Sequence, residues 1–306
     1  MIALQSGNVP MRISRMPSPF GVVAAGLDLS REMTDETMRA LISQLHDNQI
    51  LVIENQNLSD ADYVKFGHFW GKPLAFFQQS HVRNDFPEMI RISNSASTPA
   101  RYRDGAAHWH SDSTYEPVPA AVTMLYGIEA PATGGETLIA NMALAYDALP
   151  AAMRERIDTM TALHCLGGSP ALPGEKIPFI PEETARAGIV RHPLVMRHPV
   201  TGRKALFTSG TAFGAEGLER DEGRALIAEL RAHATRPEFV AKVKVREGDI
   251  FLWDNFQTMH SATPIDYSDA EGERRLLYRI STKGLPDLCK AQAAALTRIS
   301  SAANPL

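Results

Sequence analysis

From about Met89 onward the chain is a succession of short apolar and β-branched runs punctuated by Gly, Pro, Asn and Asp, and that rhythm limits its fold more than any other feature. The runs fall at 121–128, 136–140, 194–198, 204–208, 241–246, 249–254 and 274–282. Helical periodicity survives there only at 142–149, 151–159 and 222–234. Many short strands with few crossover helices argue against a parallel doubly wound sheet and for two antiparallel sheets closed into a jelly-roll-like barrel. Ahead of this region, 21–29 reads as a strand and 34–47 as a helix capped by Thr34, with Met38, Leu41, Ile42 and Leu45 on one face. Residues 49–54 follow as a buried strand. Ser59 and Asp62 open a second helix that turns Phe66, Phe69 and Trp70 to one side before Gly71 and Pro73 end it. His46 and His68, on these helices, read as packing residues without a carboxylate partner at a useful spacing. The Pro- and Gly-rich stretch 169–182 reads as a long loop over one mouth of the barrel. The expected fold class is α+β, mainly β: one domain over 1–306, with a variable segment at 1–20 and a tail at 285–306.

Composition narrows the function by exclusion. With 44% hydrophobic and 22% charged residues, 306 residues suffice for one large core or two modest ones. A formal charge of -4 without a block of basic residues is a poor footprint for nucleic acid. No apolar run reaches the roughly 18 residues of a membrane span, and 1–20 lacks the apolar core of a signal peptide. Cys165 and Cys289 are too few for a disulfide framework; each reads as a lone buried thiol, in keeping with a reducing cytoplasm. A small-molecule substrate is the expected partner, and a homo-oligomer, dimer or tetramer, is compatible with the sequence.

The stretch His108-Trp109-His110-Ser111-Asp112 is the most informative. If it is extended, side chains 108, 110 and 112 leave one face, and two imidazoles with a carboxylate suit a divalent metal. A metallo-hydrolase could use all three, or an oxygenase the His110/Asp112 half with a distant histidine. A hydrolase of the two-metal type would follow the Asp with another His, where Ser113 stands here. A bare His-x-Asp is common by chance, and a polar turn is its ordinary reading. A second block sharpens the choice: the core strand Ile250-Phe251-Leu252-Trp253, the turn pair Asp254-Asn255, and His260 on the returning segment. Beyond it, Arg275, Leu277 and Arg279 alternate onto one strand face, whereas Arg274 reads as a solvated rim residue. Two arginines aimed into a barrel call for an anion to pair with them.

With these blocks in place the chain resembles the taurine dioxygenase and 2,4-dichlorophenoxyacetate dioxygenase family of iron(II)/2-oxoglutarate enzymes. The resemblance spans roughly 21–283 and rests on five blocks in the family's order. They are Trp109-His110-Ser111-Asp112-Ser113-Thr114-Tyr115, Gly134-Gly135-Glu136-Thr137, His198-Pro199-Val200-Thr201-Gly202-Arg203-Lys204-Ala205-Leu206, Trp253-Asp254-Asn255 leading to His260, and Arg275 with Arg279. It implies a double-stranded β-helix (jelly-roll) core with flanking helices, and iron(II) held by His110, Asp112 and His260. It implies that Thr137 and Arg275 bind the distal carboxylate of 2-oxoglutarate, and that Arg279 meets an acidic substrate. Oxygen is then consumed as 2-oxoglutarate is decarboxylated to succinate and carbon dioxide and a small organic acid is hydroxylated or oxidatively cleaved.

Two departures from the taurine enzyme bear on substrate. Its sulfonate-binding histidine has no counterpart in Lys72-Pro73-Leu74-Ala75-Phe76-Phe77-Gln78-Gln79, and Gly105, Ala106 and Ala107 replace its taurine-contacting asparagine. Phe76, Phe77 and Tyr115 would then line a more apolar pocket, fit for an aryl or alkyl carboxylate or sulfonate, although aromatics also commonly fill cores. His108 has no role in the resemblance and reads as structural or as an outer hydrogen-bond donor. The alternatives are a zinc-dependent hydrolase using His108, His110 and Asp112, or a non-catalytic jelly-roll binding protein.

Overall fold

The computed structural model describes residues 4–6, 9–75, 82–83, 85–98, 106–167, 188–291 and 294. The expected 169–182 loop and Phe76 and Phe77 lie outside them. Thr34 caps the helix Asp35–Asn48 by accepting the Thr37 N–H, and Ser59 caps Asp60–His68 by accepting that of Asp62. The first helix stops at Gln49, which takes a left-handed φ of 64° and returns its N–H to Leu45. Immediately after it, Ile50–Ile53 is buried along its whole length.

One large sheet dominates. Its order at the centre is Ile50–Ile53, Ile250–Asp254, Val122–Glu129, Leu276–Lys283 and Phe86–Ser93, extended at the Ile50–Ile53 edge by Val22–Ala25 and the N-terminal strands Val9–Arg15 and Leu4–Ser6. Among the described pairings only Val22–Ala25 with Ile50–Ile53 is parallel. A smaller sheet places Thr137–Asn141 between Val240–Val243 and Thr258–Ala262.

Strand alternation sorts the residues into layers. On the large sheet, Leu51, Ile53, Met124, Leu252 and Ile280 pack on Met38, Leu41, Leu45, Tyr63 and Trp70 from the two helices. The opposite face presents Val52, Leu125, Phe251, Trp253 and Leu277 to Ile139, Ala241 and Val243 of the smaller sheet, so an apolar layer lies between the two. Behind the smaller sheet, Ala140 and Met259 pack on Met142, Leu226 and Leu230 from the helices Met142–Asp147 and Arg220–Ala234. In this arrangement Thr123, Arg279 and Ser281 occupy the inner face of the large sheet, alternating with residues that face the helices. His260 pairs with Ile139, which puts its imidazole on the inner face of the smaller sheet.

Both cysteines are buried thiols outside any disulfide, as expected. Among the described residues no helix is long and apolar enough to cross a membrane. His46 differs from expectation. It is fully buried and its Nδ1 lies 2.9 Å from a carboxylate oxygen of Asp254, a partner 208 residues away that no local spacing could reveal. His68 is exposed.

Tyr63 links the first helix–sheet layer by polar means as well. Its buried hydroxyl lies 3.1 Å from the carbonyl of Met124 and 3.0 Å from that of Tyr278, on neighbouring strands, and burial raises its pKa well above 10.0. Tyr63→Phe is therefore expected to lower unfolding stability by about 1–2 kcal/mol, read from urea denaturation. An unchanged midpoint would mean that the hydroxyl is not worth more than its hydration.

Candidate metal and anion site

Two backbone hydrogen bonds create the site. His110 donates its N–H to the carbonyl of His260 at 2.9 Å, and His260 returns the bond at 2.7 Å, an isolated antiparallel bridge between a loop and the strand Thr258–Ala262. The bridge sets the two imidazoles side by side, with ring centroids 4.1 Å apart. Asp112 joins them through a turn rather than a continued strand, since Ser113 adopts a φ of 55°. The loop is sewn down by hydroxyls. Ser111 Oγ donates to the Thr258 carbonyl at 2.7 Å, Ser111 N–H donates to Ser209 Oγ at 3.0 Å, and Thr114 Oγ1 donates to the same oxygen at 2.9 Å.

Asp112 Oδ1 lies 3.9 Å from His110 Nε2 and 3.7 Å from His260 Nε2. The ligand atoms of the three residues all fall within 4.8 Å of one another. Donors around one ion with bonds near 2.1 Å stand roughly 3–3.5 Å apart, so Asp112 needs to close on each histidine by less than about 1 Å to share an ion with it. The tautomer also fits: His110 Nδ1 lies 2.7 Å from the carbonyl of His108, which takes its proton and leaves the Nε2 lone pair facing the other donors. Burial lowers the pKa of both imidazoles, and His110 adds its own effect on His260, so both favour the neutral form that ligates. Burial works against the Asp112 carboxylate, but Arg279, His260 and His110 outweigh it and hold the pKa below the usual 3.8.

Of the two readings of 108–112, extended or turn, the structure has an isolated bridge at His110 and a turn at Asp112. His108 is exposed and stacks on the outside of the His110 ring, with centroids 4.6 Å apart and planes at 26°. It is not among the residues whose ligand atoms converge, so the His108/His110/Asp112 set of a zinc hydrolase is not assembled, and His260 stands in the third position.

Arg275 lies just ahead of Leu276–Lys283, beyond a register shift at Leu276/Leu277, so the strict alternation expected over 275–279 is broken there. Its side chain packs against the turn of the Gly134-Gly135 pair. Gly135 has a φ of 69°, and a Cβ there would come within 2.9 Å of Arg275 Cδ, so glycine answers both demands. Glu136, the nearest acid, is engaged by Lys242 at 3.2 Å and Thr263 at 3.1 Å. Among the described residues the Arg275 guanidinium has no ion pair or hydrogen bond, and burial lowers its pKa to about 10. Thr137 is buried two residues along from Ile139, on the inner face beside Ala262.

Arg279 is not the unpaired cation that the sequence suggests. Its Nη2 lies 2.6 Å from Asp112 Oδ1. Tyr115 is half-buried near Asp112, Arg279 and Glu116, and its pKa is raised to about 12, first by burial and then by the Glu116 charge. Arg274 pairs with Glu129 at the rim, as expected.

A second buried His/Asp group, His46, His198 and Asp254, also brings its ligand atoms within 4.8 Å. Its protons are already assigned. His198 Nδ1 accepts the N–H groups of Val200 and Thr201, which puts its proton on Nε2, in a close but bent contact 2.9 Å from Asp254 Oδ2. His46 Nδ1 and Gln257 Nε2 reach the same oxygen, each at 2.9 Å. An oxygen with three donors around it has no lone pair to give an ion, so the group is a structural hub joining the first helix, the 198–203 turn and the Asp254 turn. In the sequence, Asp254-Asn255 reads only as a turn pair.

The model of the family described as taurine catabolism dioxygenase TauD, TfdA family, matches residues 12–281. The chain belongs to the TauD/TfdA family. It is 30% identical to the (S)-phenoxypropionate/alpha-ketoglutarate-dioxygenase of Sphingobium herbicidovorans, over 90% of this chain and 95% of that one. It is 31% identical to the alpha-ketoglutarate-dependent 2,4-dichlorophenoxyacetate dioxygenase of Cupriavidus pinatubonensis, over 86% and 94%. Among solved structures, AAD-2 in complex with Mn(II) and N-oxalylglycine superposes with a TM-score of 0.74 at 29% identity, covering 90% of this chain and 97% of that one. This TauD/TfdA member is a 2-oxoglutarate-dependent dioxygenase with a mainly β fold, and 2-oxoglutarate and O2 are its cosubstrates.

The hub invites a stability test. The polar contacts of His198 and His46 with Asp254 outweigh burial and hold its pKa below the ordinary 3.8. Its stabilisation is therefore complete above about pH 5 and lost as the pH falls. Asp254→Asn should cost about 3 kcal/mol at neutral pH, and the difference from the parent should shrink in acid. Denaturant titrations of the metal-free chains at pH 7 and at pH 3, below the unfolded carboxyl value of 3.8, measure both; equal costs at the two pH values would contradict the assignment.

Proposed function

We propose that this dioxygenase holds iron(II) with His110, Asp112 and His260, anchors the distal carboxylate of 2-oxoglutarate on Arg275 and Thr137, and oxidises a small organic acid. The observation that carries the cosubstrate site is the buried Arg275 guanidinium, which has no ion pair among the described residues while the nearest acid is engaged elsewhere. A buried cation of this kind is costly until an anion meets it, and the planar fork of Arg matches a carboxylate. The neutral imidazoles and the anionic Asp112 form the donor set expected of a two-histidine, one-carboxylate iron site with open positions. When bound, the iron supplies the oxygen activation that 2-oxoglutarate decarboxylation drives.

The protein's own part is placement. The His110–His260 bridge orients the imidazoles, and the apolar layer of Phe251, Trp253, Leu277 and Ile139 limits water on the inner side. The reading includes closure of the two sheets as a double-stranded β-helix, a single domain with peripheral 1–20 and 285–306 segments, a cytoplasmic location, and a dimer or tetramer as the assembled form.

For the substrate we favour an aryl or alkyl carboxylate or sulfonate. The named relatives act on phenoxypropionate and 2,4-dichlorophenoxyacetate, while others are named as an alkylsulfatase and a sulfate ester dioxygenase. Here Arg279 would serve Asp112 and the substrate anion together, with Tyr115 beside it. Succinate release should be stimulated by acids of this class and not by their neutral amides; equal stimulation would rule out anion pairing.

Anaerobic addition of iron(II) and 2-oxoglutarate together should give a weak visible charge-transfer band. Tight zinc binding with hydrolytic turnover and no such band would sink the proposal. Arg275→Lys keeps the charge but loses the fork, so 2-oxoglutarate affinity should fall by roughly 1.5–3 kcal/mol in the same titration. Unchanged affinity would move the anchor to another residue.

A further inference from the structure

The two oxygens of Asp112 are treated differently by the protein. Oδ1 faces both imidazoles and Arg279, whereas Oδ2 is 2.6 Å from the hydroxyl of Thr123. The Thr123 contact is one side of a closed circuit. Asp112 N–H donates to Asn255 Oδ1 at 3.2 Å, Asn255 Nδ2 donates to Thr123 Oγ1 at 3.0 Å, and the Thr123 hydroxyl returns to Asp112. All three residues are buried, Thr123 completely.

Every orientation in the circuit is determined. The indole N–H of Trp253 also reaches Asn255 Oδ1, at 3.2 Å, so the atom that receives two N–H donors is the oxygen and the other end of the amide must donate. Thr123 has a single proton. An ionised carboxylate only accepts, so that proton goes to Asp112 Oδ2 at 2.6 Å in preference to Ser281 Oγ at 3.0 Å. The terminal torsion of an aspartate is intrinsically broad. Nothing in Asp112 itself sets the orientation of its carboxylate; Thr123 holds one oxygen in place while the other meets Arg279 and faces the histidines.

We propose that Thr123 and Asn255 are positioning residues that fix the Asp112 carboxylate with Oδ1 toward His110 and His260, and so set the affinity of the site for its ion. The inference rests on the reading of those three residues as metal ligands. Thr123→Val removes the hydroxyl while keeping the shape, Thr123→Ala removes it with a smaller side chain, and Thr123→Ser restores it. Mn(II) binding to each chain, followed anaerobically by electron paramagnetic resonance of the free ion, reads the effect without turnover. Thermal melting of the metal-free chains reads folding separately.

The expected result is at least a tenfold rise in the Mn(II) dissociation constant for the Val and Ala variants, the scale of a lost outer partner of a metal ligand. Thr123→Ser should stay within threefold of the parent, and metal-free melting temperatures should be close to one another. Val and Ala variants that bind Mn(II) within threefold of the parent would overturn the positioning role alone. A parent chain that takes up no Mn(II) would instead remove the metal-site reading beneath it. If both hydroxyl-free variants fail to fold while Thr123→Ser folds, the hydroxyl is a folding determinant and the proposal is overturned.

Discussion

The site depends on a pair of backbone hydrogen bonds. The reciprocal contact between His110 and His260 joins a loop to the smaller sheet at a single residue pair and sets the His110 imidazole beside one that the sheet already places. Backbone hydrogen bonds are well suited to the task, because their geometry does not vary with the side chains that hang from them. Around the bridge the chain spends short polar side chains freely. Ser111, Thr114, Ser209 and Thr258 are buried and find partners within the loop and strand that they join. Buried hydroxyls are costly only when unpaired, so this cluster can hold an irregular loop inside a packed region where apolar side chains would leave its amides unsatisfied.

Charge is arranged with the same economy. Arg279 and Asp112 meet on the inner face, Lys242 and Thr263 occupy Glu136, and Arg275 is left with neither. The contrast between the two arginines is informative. Two guanidinium groups four residues apart look equivalent in sequence, yet one is internally compensated and the other is not. An anion meeting the second would displace nothing from the first.

Much of the layering was legible in the sequence because it follows from alternation and capping. Thr34 and Ser59 start their helices where expected, and the runs at 121–128, 249–254 and 274–282 are strands within two residues at each end. The metal and cosubstrate candidates came from motif resemblance, and the structure brings His110, Asp112 and His260 together. Three features escaped for physical reasons. The pairing of His46 with Asp254 is a contact of tertiary structure with no local signature. The choice between an extended and a turned 108–112 could not be made locally, because it hangs on Ser113 entering the left-handed region, which a Ser-Asp-Ser stretch does not announce. The strands Val9–Arg15 and Thr161–His164 are short and mixed in character, and only their neighbours in the sheets give them order.

The two buried His/Asp groups sit at opposite ends of one hydrogen-bonded path, through adjacent residues Asp254 and Asn255. Asp254 belongs to the framework that docks the first helix, and Asn255 to the surroundings of Asp112. Arg279 meets Asp112 from outside that path, and Tyr115 stands near both. A chain built this way divides its sequence into a part that must stay fixed and a part free to drift. Residues around the mouth can be exchanged to admit a new acid without retuning the ion-binding centre. Relatives at about 30% identity, named for such different substrates as aryloxyalkanoates and sulfate esters, are what that division would leave behind.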